Sequence, residues 1–170
     1  MTGAELLVDA FGRIRETVHQ VADGLTPEQA AVRLDPDANS IAWLLWHLTR
    51  VQDDHVADVA QTDQVWTSQG WVERFALPFP PEAHGYGQSS ADVGAVRVSA
   101  DLLVGYYDAV HEHTIQFVAG LGEKDFERIV DERWDPPVDL GTRLVSVVDD
   151  CTQHVGQAAF ILGVVQRTQK

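Results

Sequence analysis

Residues 144–165 read LVSVVDDCTQHVGQAAFILGVV. The stretch is apolar enough to run through the middle of a domain. Yet Asp149, Asp150, Gln153, His154 and Gln157 stand where a simple core helix would carry Leu or Ala. Asp150 and His154 are four residues apart, so on a helix they lie one turn above each other on one face. A carboxylate and an imidazole converging in this way are two ligands of a metal site in need of a third. His47, inside an earlier apolar helical stretch, is the best third.

Outward from this stretch the chain reads as helices. Ala4 to Leu25 carries Leu6, Leu7, Ala10, Phe11, Ile14, Val18 and Val21 at three- and four-residue steps, which predicts a first long amphipathic helix. Thr26-Pro27-Glu28 supplies a cap, a first-turn proline and an acidic first turn for a short helix through Val32. Residues 34–39, LDPDAN, form a turn cluster, and Ser40 caps a second long helix over Ile41–Ala60. Its N-terminal half, with Trp43, Leu44, Trp46 and His47, is the half expected to be buried.

Thr67 to Ser90 is rich in proline and glycine and is too long for a tight helix connection. It predicts a crossover along the domain, pinned by Trp66, Trp71, Phe75, Phe79 and Tyr86. Ser89 or Ser90 then caps a third long helix, Ala91–Gly120. Leu121–Asp139 is a connection with a helical turn near Lys124 to Ile129 and a Pro136-Pro137 break, and the fourth long helix runs from about Thr142 to Arg167. No strand is expected, because the β-branched residues sit in helical spacing and no Asn-Gly or Asp-Gly hairpin turn occurs. The expected fold is all-α: one four-helix-bundle domain over residues 1–170, with a long crossover between the second and third long helices.

Composition bounds the partners. The 170 residues are 45% hydrophobic and 22% charged, and 12 basic residues face 26 acidic ones, a formal charge of −14. Nucleic-acid binding needs clustered Lys and Arg to displace phosphate counterions, so no nucleic acid is expected, nor an anionic membrane surface. No apolar run reaches the ~20 residues of a membrane span and the N-terminus lacks a signal-peptide pattern, so the expected location is cytoplasmic. The single cysteine, Cys151, excludes an internal disulfide and a CxxC zinc ribbon. G-x-S-x-G and Gly-rich phosphate-loop patterns are absent, which argues against a serine hydrolase and nucleotide chemistry.

His47, Asp150 and His154 would give a divalent ion two neutral imidazoles and one carboxylate with a coordination position open, the usual form of a catalytic site. The bland reading stands beside it: a core histidine satisfied by a neighbour, and an i,i+4 ion pair between Asp150 and His154. Trp43 and Trp46 are core or pocket wall. Asp54 lies nearly on the His47 stripe, where it either orients a ligand or faces solvent. Gln157, one turn past His154, either holds a ligand's second nitrogen or a substrate group, or bonds a neighbouring helix. Cys151 reads as a small buried apolar residue, with a thiolate ligand as its rival. His55 is two turns beyond His47 and too far along the axis to share one ion with it.

The phrases SIAWLLWHLTRVQDDHVADV and DDCTQHVGQAAFILG resemble the DinB-like superfamily of metal-binding four-helix bundles. The likeness is greatest to the branch that holds the N-terminal domain of mycothiol-dependent maleylpyruvate isomerase, and it spans nearly the whole chain. The resemblance implies three ligands, which fall on His47, Asp150 and His154, with Val155-Gly156-Gln157 as the matching tail. It implies zinc or nickel as the divalent metal, and mycothiol or another low-molecular-weight thiol as cofactor. Asp150 departs from the common form, which has histidine there. The isomerase also carries a second domain after its last helix, whereas this sequence ends at Lys170, so isomerisation of maleylpyruvate itself is not expected.

The expected function is a metal-binding, thiol-dependent transferase or isomerase acting on a small electrophilic molecule, with a homodimer as one expected assembly. The alternative is a non-catalytic metal- or ligand-binding bundle with a sensor or sequestration role, and a third reading makes the inward polar residues a structural hydrogen-bond network.

Overall fold

The structure, a computed structural model, describes residues 1–168. Its long helices are α1 (Gly3–Ala22), α3 (Ile41–Ala60), α7 (Ala100–Ala119) and α8 (Leu140–Thr168). Shorter ones are α2 (Pro27–Ala30), α4 (Val65–Ser68), α5 (Trp71–Phe75) and α6 (Ser90–Ala95). Around the bundle α1 packs on α7 and α8, and α3 packs on the same two, so α3 and α8 share one groove and α1 and α7 share the groove diagonally opposite. This bears out the all-α bundle and its long crossover, which runs from the end of α3 to Ser89 and contains α4 and α5.

Local chemistry sets the helix starts. Thr2 and Glu5 close a reciprocal capping box on α1, and Thr26 with Gln29 closes another on α2, satisfying amide hydrogens that a first turn leaves open. Ser40 Oγ accepts from the Trp43 amide and so begins α3. On the inner faces Phe11, Ile14, Leu44, Leu48, Tyr106, Val110, Leu144, Cys151 and Ala158 make one continuous core.

Four expectations need correction. The third long helix is interrupted: α6 ends at Ala95, Val96 is buried in an extended conformation, and Ser99 caps a fresh start by accepting from the Leu102 amide. A residue held extended cannot continue an α-helix, so the β-branched Val96 and Val98 flank a break. A small antiparallel pair does exist, β1 (Ile129–Asp131) with β2 (Val138–Asp139), and the Pro136-Pro137 break lies in its turn. Burial in α3 does not stop halfway, since Arg50, Gln52 and Asp53 are fully enclosed. Finally, Trp66, Trp71 and Phe75 pin the crossover as expected, but Tyr86 is 59% exposed and lies over the α3 histidine instead. No helix among the described residues is long and apolar enough to cross a membrane.

Candidate metal centre

In the groove between α3 and α8, His47, Asp150 and His154 each offer one ligand atom, and these atoms all lie within 4.8 Å of one another. No other such group of His, Cys, Asp and Glu occurs among the described residues. His154 Nε2 is 3.6 Å from Asp150 Oδ1, close to the ~3.4 Å that separates two donors of a tetrahedral zinc shell. The 4.8 Å limit is wider than that, so side-chain rotation would have to draw the donors inward around an ion.

The hydrogen bonds behind the triad decide which atoms are free. His47 Nδ1 meets the backbone carbonyl of His84, and a carbonyl only accepts, so Nδ1 carries the proton and Nε2 is the bare nitrogen. His154 Nδ1 lies 3.2 Å from Gln157 Oε1 and donates to it, which again leaves Nε2 toward the groove. Asp150 Oδ2 is buried with no hydrogen-bond partner, although buried oxygens are nearly always satisfied. A carboxylate with one unpartnered oxygen, grouped with two imidazoles, is the donor set a divalent ion such as zinc takes, so the residues fit one.

Burial pulls the His47 pKa down, opposed by the bond to His84, so the ring is held in the neutral form that ligates. The contact with Asp150 pushes His154 up, against burial, so a proton on Nε2 competes for the place of an ion.

The rest of the site is built from the crossover. Arg50 Nε donates to the Ala83 carbonyl at 3.0 Å, and its Nη1 to Gln64 Oε1 at 2.8 Å. Asp53 accepts from the Val65 and Trp66 amides and from the Tyr106 hydroxyl. Two buried charges one turn apart on α3 thus hold both ends of the 64–83 segment. Gly85 follows with φ +107°, and a Cβ there would stand 2.3 Å from His47 Nδ1. Only a residue without a side chain lets this backbone approach the imidazole. Neither the His84 carbonyl nor Gly85 has a signature in residue spacing; the HGYG phrase amid turn residues was the available signal.

The remaining candidates fall as follows. Trp43 stacks on His47 with centroids 4.5 Å apart, reaches His154 edge-on, and donates to Gln88 Oε1. Trp46 is core, packed against Trp66 and Phe79 of the crossover. Asp54 Oδ1 accepts from Gln64 Nε2 at 2.7 Å and so joins the clamp on the crossover without touching the triad. Cys151 is wholly buried against the Leu48 carbonyl, and burial pushes its thiol pKa up, opposite to what a reactive thiolate needs. His55 accepts from Arg143, apart from the triad.

No curated protein matches the chain. A crystal structure described as the conserved protein of locus from Enterococcus faecalis superposes with a TM-score of 0.89 at 29% identity, over 95% of this chain and 96% of that one. The model of the family described as Mycothiol-S-transferase matches residues 6–164. That range takes in α3 and α7 whole, most of α1 and α8, and the three converging side chains, in keeping with the DinB-like resemblance. By its sequence the chain belongs to the mycothiol-S-transferase family.

Proposed function

We propose that this chain is a metal-dependent transferase that moves the sulfur of mycothiol, or of a similar small thiol, onto a small electrophile. The observation that carries the reading is the convergence of His47, Asp150 and His154, with both Nδ1 atoms engaged and Asp150 Oδ2 left without a partner, in a chain of this family. His47 Nε2, His154 Nε2 and the Asp150 carboxylate would hold the ion, zinc or nickel by the chemistry of the set. A divalent ion with one carboxylate keeps net positive charge and supplies a Lewis acid that favours thiolate over thiol.

The protein's own groups do the rest. The His84 carbonyl fixes the tautomer of His47, and Gln157 fixes that of His154. Trp43 walls one side, and Tyr86, edge-on to His47 at 5.3 Å, stands on the solvent side. In the transfer a carbon–sulfur bond forms, the leaving group departs with its electron pair, and the thiol proton passes to solvent.

The test is thioether formation by untagged protein supplied with zinc or nickel, mycothiol and a model electrophile. The expected result is metal-dependent product, reduced at least about 100-fold in His154→Ala, the scale of losing a group that acts in the transition state. Equal rates for wild type and variant would remove the catalytic role.

A further inference from the structure

A cavity lies beside the triad, between α3 and α8. It has a volume of about 410 Å³, within the roughly 300–1,000 Å³ of small-ligand sites. Leu44, three residues before His47, and Gln157, three after His154, both line it, so it begins one helical turn, ~5 Å, beyond the triad. Its walls are Leu34, Leu44, Phe160 and Ile161, its polar side chains are Asn39 and Gln157, and no charged residue faces it. Three other cavities, including one of about 650 Å³ between α1 and α7, are all lined by carboxylates. Phe160 is 65% exposed and Leu34 43% exposed, so both present apolar surface at the mouth of this cavity.

Gln157 links the two spaces. Its Oε1 is taken by His154 Nδ1, which leaves the amide NH₂ as a hydrogen-bond donor beside an apolar chamber. From this we infer that the cavity binds the uncharged, apolar portion of the electrophile, with Gln157 donating to a carbonyl-type oxygen between that portion and the reacting carbon. The inference rests on the transfer reading above and adds the substrate class: neutral electrophiles with an alkyl or aryl tail. Anionic tails are excluded, since the cavity offers no cation and the chain carries −14.

The experiment uses the metal-free, untagged chain and N-alkylsuccinimides from ethyl to hexyl, which are unreactive neutral imides, titrated by calorimetry. Each added methylene tightens binding about two- to fourfold, the scale set by apolar burial. In Gly156→Leu, where a new Cβ meets no atom within 4 Å, the added side chain fills the space and the dependence on tail length disappears. Phe160→Gln, at an exposed position that leaves the core intact, weakens the hexyl compound most. Equal affinity along the series, or the same tightening in Gly156→Leu and Phe160→Gln, overturns the inference. Neither metal nor thiol is present in this titration, so it fails or succeeds separately from the thioether assay.

Discussion

A methyl group at position 85 is the smallest change that reaches the centre. Its carbon would lie 2.3 Å from His47 Nδ1 and 3.1 Å from Trp43 Cζ2, at a φ of +107° that side chains disfavour. Gly85→Ala therefore displaces the His84 carbonyl, and His47 loses the partner that fixes its tautomer. The expected outcome is a 10- to 100-fold weaker metal affinity, the usual cost of losing an outer-shell partner, measured by competition with a chelator. Unchanged affinity would show that the carbonyl plays no part. The legibility of the triad divides the same way. Asp150 and His154 declared themselves by spacing, because one helix fixes their relation, whereas His47 needed the bundle to bring α3 against α8. A backbone carbonyl brought close by a glycine has no signature in spacing, only the glycine-rich HGYG phrase of a turn.

Among the elements, α3 carries the most constraint. Arg50 and Asp53 are enclosed, and burial pushes the Asp53 carboxyl up against the hydrogen bonds from Tyr106, Trp66 and Val65. Removing one charge strands the other: Arg50→Met is expected to cost about 3–5 kcal/mol in urea unfolding and to free residues 64–84 for proteolysis. A loss below about 1 kcal/mol would mean that the crossover is held by its aromatics alone. Apolar spacing, with Thr26 and Ser40 as caps of the second and third, made α1, α2 and α3 readable to within a few residues, since those signals are local. Burial of Arg50 and Asp53 was not readable, because the hydrogen-bond partners that enclose them lie 12 or more residues away. The break at Val96 to Ser99 and the β1–β2 pair escaped for a related reason: short extended segments gain their stability from what they pack on rather than from their own pattern.

For the molecule as a whole, acid should loosen the metal-free fold before the carboxylates titrate. Burial, chiefly, depresses His47, His55 and His111 below the ordinary imidazole value of about 6.5. The unfolded chain takes up these protons first, so stability present above about pH 6.5 is lost as the pH falls toward the folded values. His154 and the Asp53 carboxyl are shifted upward and favour the fold as the pH falls, two groups against three. The urea midpoint of the metal-free chain should fall between about pH 7.5 and 5.5, and a rising midpoint would contradict the assignment. Asp131 and Asp108, both depressed by arginine or histidine partners, act only at lower pH.

Two imidazoles from distant parts of the chain and one carboxylate are proposed to share an ion. Metal content with X-ray absorption on untagged protein tests this most directly. One zinc or nickel per chain is expected, in a shell with two histidine nitrogens, with loss of the metal in His47→Ala, Asp150→Ala and His154→Ala alike. Wild-type protein that holds no more metal than those variants, after saturation and removal of excess ion, would contradict it.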